Sequence, residues 1–280
     1  MVMATGIMGM DMGKVIMDIN KLEMKIKTYV INLKDSVDRR EAVLVETAKF
    51  PFMDVELVEA VDGRKLDPQE VKACFDLKKF INRYHRTPKG GEIGCTLSHR
   101  KCYRKLLESD EEFALILEDD VNFLYPEDVG ITLKNILDNC SDDKPYFITL
   151  AMHYVYYTEK YRKLGKYTFY RINNAYGTCA YLINRKAAQC MLSVSRPFIV
   201  ADDYPYIRKK GIQVKGIYPT FTVDASGKDI IPTEIQQESV VRYKISVFQY
   251  LGMLYGRLCQ KILFLLGRLA IRHYRLGINE

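Results

Sequence analysis

The stretch FALILEDDV, residues 113–121, decides how this chain is read. Phe113 to Leu117 are mostly apolar and predict a buried strand. Glu118, Asp119 and Asp120 follow at once. In an extended chain residues 118 and 120 share one side and 119 faces the other, so the three carboxylates act together only where the strand bends or ends. Burying them unpaired is costly, and a divalent cation or the hydroxyl donors of a ligand would offset that cost. Closely spaced hard oxygens suit Mg²⁺ or Mn²⁺, ions that keep positions open for substrate phosphates. A metal-bound diphosphate is the expected occupant, against the plainer alternative of a solvated acidic loop with a helix cap.

The same grammar recurs on both sides of this stretch. KTYVINL (27–33) is a β-branched run followed by helical REAVLVETAKF (40–50), and VELVEAVDG (55–63) reads as a second strand. KLDPQEVKACF (65–75) then places Asp67 as an N-cap with Pro68 at the first helical position. Helical patterns follow in GEIGCTLSHRKCYRKLLES (91–109) and PEDVGITLKNILDNC (126–140), and KPYFITLAM (144–152) is another buried strand. A tyrosine-rich stretch over 153–176 turns as a hairpin near Leu164–Lys166, and GTCAYLINRKAAQCML (177–192) is a strand feeding a helix. This alternation predicts an α/β fold with a mostly parallel sheet covered on both faces, in which ligands bind beyond the carboxyl ends of strands.

At 280 residues and 48% hydrophobic composition the chain has ample core material, which excludes a disordered class. Its net charge of +7 is unevenly distributed. From Val240 onward there are seven Lys and Arg residues against the single acid Glu280, so the excess belongs to the tail and no nucleic-acid partner is expected. The seven cysteines form no C-x-x-C pair and read as reduced thiols of a cytosolic protein. Residues 1–23 are methionine-rich, lack the features of a signal peptide and read as an extension or disordered leader. Without a Pro, Gly or Ser linker, residues 24–238 are expected to form one catalytic domain and 239–280 a helical tail.

The tail is strongly apolar, but Arg257, Lys261 and Arg268 leave no uncharged run of about eighteen residues for a membrane span. On one continuous helix Arg257, Lys261, Arg268, Arg272 and Arg275 share a face while Leu254, Leu258, Leu265 and Leu269 share another. That pattern predicts a basic amphipathic helix over residues 240–280 on an anionic membrane surface.

Six separated segments resemble one family. VINLKDSVDRR (30–40), AVDG (60–63), GEIGCTLSHRKCYRKLL (91–107), LILEDDV (115–121), YGTCAYLINRKAAQ (176–189) and ADDYPYI (201–207) are similar, in order and spacing, to glycosyltransferase family 25. That family comprises bacterial lipooligosaccharide glycosyltransferases related to the collagen galactosyltransferases. The resemblance implies a GT-A-like, Rossmann-type nucleotide-sugar-binding domain. It implies a UDP-galactose or UDP-glucose donor, Mn²⁺ or Mg²⁺, and transfer with inversion to give a β linkage.

By the same resemblance Asp120 is expected to ligate the metal, and Asp119 to hold the ribose or a metal-bound water, with Glu118 beside them. Asp202 matches the late acidic position and is the expected general base, with Asp203 as competitor or helix cap. Asn32, Leu33, Arg39 and Arg40 are expected on the nucleotide side, Asp62 at uridine or ribose, and Ser98 and His99 in the organisation of the donor site. The expected acceptor is a lipid-linked lipooligosaccharide or lipopolysaccharide core saccharide. The expected location is cytoplasmic, peripheral on the inner face of a bacterial inner membrane. A sugar nucleotidyltransferase and a catalytically silent, membrane-associated nucleotide-sugar-binding module are the alternatives.

Overall fold

In the computed structural model, β3 (Phe113–Glu118) lies between β1 (Ile26–Asn32) and β8 (Ala180–Asn184), deep in a nine-stranded sheet. Residues 24–140, 142–150, 153–224 and 239–272 are described; the leader expected over 1–23 and the end of the tail lie outside them. Side-chain alternation explains the depth of β3. Leu115 and Leu117 enter the hydrophobic core on one face of the sheet, and Ala114 and Ile116 enter the core on the other. Ile26 and Val30 against Tyr29 and Ile31 in β1, and Leu182 against Tyr181 in β8, divide in the same way.

From its start the chain runs β1, α1 (Val37–Thr47), β2 (Met53–Glu59), α2 (Pro68–Cys74), α3 (Leu77–Tyr84), α4 (Gly90–Glu108) and β3. It continues through β4 (Val121–Phe123), α5 (Pro126–Asp138), β5 (Tyr146–Thr149), β6 (Tyr154–Leu164), β7 (Tyr167–Ala175) and β8. Then come α6 (Arg185–Leu192), α7 (Tyr204–Lys209), β9 (Gln213–Tyr218), β10 (Thr222–Asp224), α8 (Val247–Leu265) and β11 (Leu269–Arg272). The sheet order is β11-β6-β7-β9-β5-β8-β3-β1-β2, and β4 pairs separately with β10.

The expected α/β class is present. Within it the sheet is mixed: β1 runs parallel to β2 and β3, and β5 to β9, while β8 inserts antiparallel between β3 and β5. The tyrosine-rich hairpin of β6 and β7 extends the sheet antiparallel, turning at Gly165 with φ of +61°. Asp67 caps α2 as expected, accepting from the amides of Gln69 and Glu70.

Two features of the first half place the site. Strand β3 ends at Glu118, and Asp119 and Asp120 form the turn before β4 peels away from the main sheet. The start of α4 packs backbone against backbone on the loop after β2. A Cβ on Gly63 would overlap Gly90 and Gly94, and one on Gly94 would overlap Val61 and Gly63. That contact is the physical content of the AVDG and GEIG segments, since only glycines permit it.

The C-terminal helix is present but shorter than the single helix expected over the tail. Gly267, with φ of +66°, ends α8, and the amides of Gly267 and Arg268 bond to Phe264 O and Leu263 O. Arg268 therefore leaves the helix and pairs with Glu159 at 2.9 Å, Arg272 lies in β11, and Arg275 falls outside the described residues. Leu269, assigned by the sequence to the helix's apolar face, is buried in β11. Before α8, Val241 and Tyr243 are tied to the His85–Thr87 loop by backbone bonds of 2.9 and 2.8 Å. The helix is thus held at both ends, yet none of its residues is buried. No helix among the described residues is long and apolar enough to cross a membrane. All seven cysteines are free.

Candidate active site

A cleft of about 250 Å³ opens where β1 and β3 end, walled by the β2–α2 loop and the first turns of α4. Ligand crevices of α/β sheets form at such strand ends. Its acidic side is the turn after β3. Asn32 Nδ2 donates to Asp119 Oδ2 at 2.7 Å and to Ser36 O at 3.1 Å, so the last residue of β1 fixes the first aspartate of the turn. Arg39, in the first turn of α1, pairs through Nη2 with Asp119 Oδ1 and lies 3.3 Å from Asp120 Oδ2. Asp120 Oδ1 and Arg39 Nε are buried without a hydrogen-bond partner. Burial, then the charge of Glu118, pushes the Asp120 carboxyl up to about 7, and burial also raises Asp119.

Glu118 is held differently. Its Oε1 accepts from His99 Nε2 at 3.1 Å and from Thr178 Oγ1 at 2.5 Å. Burial alone would raise this carboxyl, but the His99 contact and charge together with the Thr178 bond bring it below the ordinary glutamate range. His99 Nδ1 meets Tyr181 Oη at 2.8 Å, and Tyr181 Oη lies 3.0 Å from Tyr103 Oη. The donor atoms of Cys95, His99 and Glu118 all lie within 4.8 Å of one another. Cys95 precedes His99 by one helical turn, the local signal in the sequence that both reach the same point. Glu118 already has two donors here, so the cluster reads as a network that orients this carboxylate.

The other expected residues separate into those at the cleft and those away from it. Leu33, Asp62, Ser98 and His99 line it. Asp62 is engaged by Arg64, at 2.7 Å from Nε and 2.9 Å from Nη2, which holds its carboxyl below the usual range. Ser98 Oγ accepts from Val61 N at 2.8 Å and donates to Gly94 O at 2.7 Å, so it fastens the β2–α2 loop to α4. Arg40 does not line the cleft; its Nη1 bonds to Lys34 O at 3.2 Å.

Asp202 does not itself line the cleft; its Oδ2 accepts at 3.1 Å from the amide of Gly177, which does, and burial followed by the charge of Glu118 raises its carboxyl. Asp203 is bound elsewhere. It pairs with Arg83 at 2.7 Å through Nη2, accepts from Tyr84 Oη and caps α7 through the Tyr206 amide at 3.0 Å.

Sequence reasoning missed Asp224. It ends β10 opposite Val121, lines the cleft, and its charge contributes to raising Asp120. FTVD (221–224) repeats on a smaller scale the pattern of an apolar strand closed by an acid. Nothing local indicates that β10 returns to β4, roughly a hundred residues upstream. Asp120 and Asp224 thus bring carboxylate oxygens of the kind that Mg²⁺ and Mn²⁺ take to one cleft, and the orphaned Asp120 Oδ1 fits that use, whereas both oxygens of Asp119 are already engaged by Asn32 and Arg39.

A family model described as glycosyltransferase family 25 (LPS biosynthesis protein) matches residues 25–205. Procollagen galactosyltransferase 2 of Homo sapiens is 38% identical over 98 residues, which is 34% of this chain and 16% of that protein. A procollagen lysyl hydroxylase and glycosyltransferase of Acanthamoeba polyphaga mimivirus is 28% identical over 191 residues, 60% of this chain and 20% of that protein. The chain therefore spans only a small part of the length of these relatives. Among solved structures, an inositol-1-phosphate CTP transferase from T. maritima aligns with a TM-score of 0.34 and 12% identity, over 69% of this chain and 85% of that one. A glycosyltransferase involved in glycosylation of the major capsid of PBCV-1 aligns with a TM-score of 0.27 and 14% identity, over 60% and 63%.

Proposed function

The chain belongs to glycosyltransferase family 25, and from that premise we propose that it moves galactose or glucose from a UDP-sugar to a core saccharide of lipooligosaccharide or lipopolysaccharide, with inversion and a β-linked product. The observation that carries this reading is the acidic turn after β3, where Asp119 and Asp120 meet Arg39 in a cleft that Asp224 also lines. A sugar diphosphate needs such a combination, a cation site for its charge and a guanidinium for its oxygens.

Asp120 would hold Mn²⁺ or Mg²⁺, with Asp119 and Asp224 beside it. The chemistry such an ion supplies is stabilisation of the negative charge that gathers on departing UDP. Arg39 binds the diphosphate, and Asn32 keeps Asp119 oriented. Asp202 accepts the proton of the acceptor hydroxyl as its oxygen bonds to the anomeric carbon and the bond to the phosphate oxygen breaks. A single displacement of this kind inverts the sugar. Burial raises the Asp202 carboxyl, which makes its carboxylate a stronger base than a solvated one. Asp203 takes no part in the proton transfer; it is committed to Arg83 and to the cap of α7.

The acceptor is lipid-linked and meets the enzyme at an anionic membrane surface, on the cytoplasmic face of a bacterial inner membrane. Helix α8 supports this: Phe248 and Leu265 are each 87% exposed, Leu258 is 55% exposed, and Arg257 and Lys261 are the charged residues of the helix. An exposed apolar stripe flanked by cations suits the headgroup boundary of an anionic bilayer.

A screen of UDP-hexoses with Mn²⁺ or Mg²⁺ tests the donor class. Release of UDP from UDP-galactose or UDP-glucose is expected, whereas release of pyrophosphate would point to nucleotidyl transfer and overturn the reading.

A further inference from the structure

Arg39 occupies the acidic turn as a cation would. Its Nη2 touches both Asp119 and Asp120, yet the pairing is uneven. Asp119 has a second donor in Asn32. Asp120 has only the 3.3 Å contact on one oxygen, its other oxygen is buried without a partner, and Arg39 Nε is also buried without one. A partly buried guanidinium and carboxylate, each with one buried atom left without a hydrogen-bond partner, mark an arrangement that a ligand can improve.

From this we infer that Arg39 is the resident counter-ion of the acidic turn, which a diphosphate must draw away before Asp120 can hold a divalent cation, so that nucleotide and metal bind cooperatively. The inference rests on the metal-dependent reading above. A divalent cation beside Arg39 would meet a like charge at short range in a partly desolvated cleft. The diphosphate removes that conflict, because it gives the guanidinium two oxygens in a fork geometry and adds negative charge for the metal. Each ligand then raises the affinity of the other by the same factor, as linkage requires.

The test is Mn²⁺ binding to the full chain, followed by the electron paramagnetic resonance of free Mn²⁺, with and without UDP at about pH 8, where carboxylates are ionised. Wild type is expected to bind Mn²⁺ weakly alone and tightly with UDP. Arg39→Gln is expected to bind Mn²⁺ alone about tenfold more tightly than wild type, and UDP should then add correspondingly less. Arg39→Met, which removes the charge but keeps an apolar stem, should behave alike and serves if the glutamine variant does not fold. Unchanged or weaker Mn²⁺ binding by the folded variant, with binding still lost in Asp120→Ala, would overturn the role of Arg39 alone. Absence of Mn²⁺ binding by wild type with and without UDP would overturn both this inference and the metal-dependent reading.

Discussion

Neighbouring carboxylates in this protein do unlike work because their partners differ. Glu118 is held by His99 and Thr178, Asp119 by Asn32 and Arg39, while Asp120 keeps a buried oxygen without a partner. Since burial pushes the Asp120 carboxyl up to about 7, well above its value in an unfolded chain, the metal-free fold binds this proton more tightly than the unfolded chain does. Its ionisation therefore costs stability that is lost as pH rises toward and through about 7. Asp120→Asn is expected to be more stable than wild type above that pH, with the advantage vanishing as pH falls toward 4, measured by urea unfolding without metal. A constant difference across the range would contradict the cause assigned.

Asp202 and Asp203 form a second contrast. Asp203→Ala leaves Arg83 without its partner and α7 without its cap, and is expected to cost about 3 kcal/mol in urea unfolding. Asp202→Asn should leave stability within about 1 kcal/mol while removing transfer activity. Equal destabilisation by both changes would contradict the division between base and structural residue.

Elements fix the site through backbone contacts as much as through side chains. Gly94→Ala would drive a methyl group into Val61 O and the Gly63 backbone, so α4 must move away from the loop that carries Asp62. The expected result is a loss of about 2 kcal/mol or more, with weaker UDP binding measured on the folded protein. Helix α8 is the opposite case. Leu258 and Ile262 lie on its exposed side, so Leu258→Asp and Ile262→Asp should leave thermal stability unchanged while abolishing flotation with anionic vesicles. Unchanged flotation would contradict membrane association. Truncation at residue 240 is the poorer test, because Leu269–Arg272 is a strand of the main sheet and its loss would expose the edge of β6.

At the scale of the whole molecule, what was legible in the sequence is what is local. The βα unit at the start, the Asp67 cap, the turn at Gly165 and the burial of β3 on both faces all follow from residues within a few positions of one another. The insertion of β8 between β3 and β5, the return of β10 to β4 and the pairing of β11 with β6 join distant segments whose apolar patterns carry no partner information. Asp224 escapes local pattern for that reason, and the leucines of the tail keep helical spacing past Gly267, which predicts one helix where the chain forms a helix and then a strand. The site divides along the same line. The EDD turn announced itself by charge next to apolar burial, whereas the contact of Arg39 with Asp119 spans 80 residues and exists only in the fold.

The proposed meeting place of metal and sugar diphosphate is the turn after β3. Its most direct test is the Mn²⁺-dependent turnover of the preferred UDP-hexose by wild type and by Asp120→Ala. A loss of about a hundredfold or more in the folded variant is expected, and equal metal-dependent turnover by both would contradict the account.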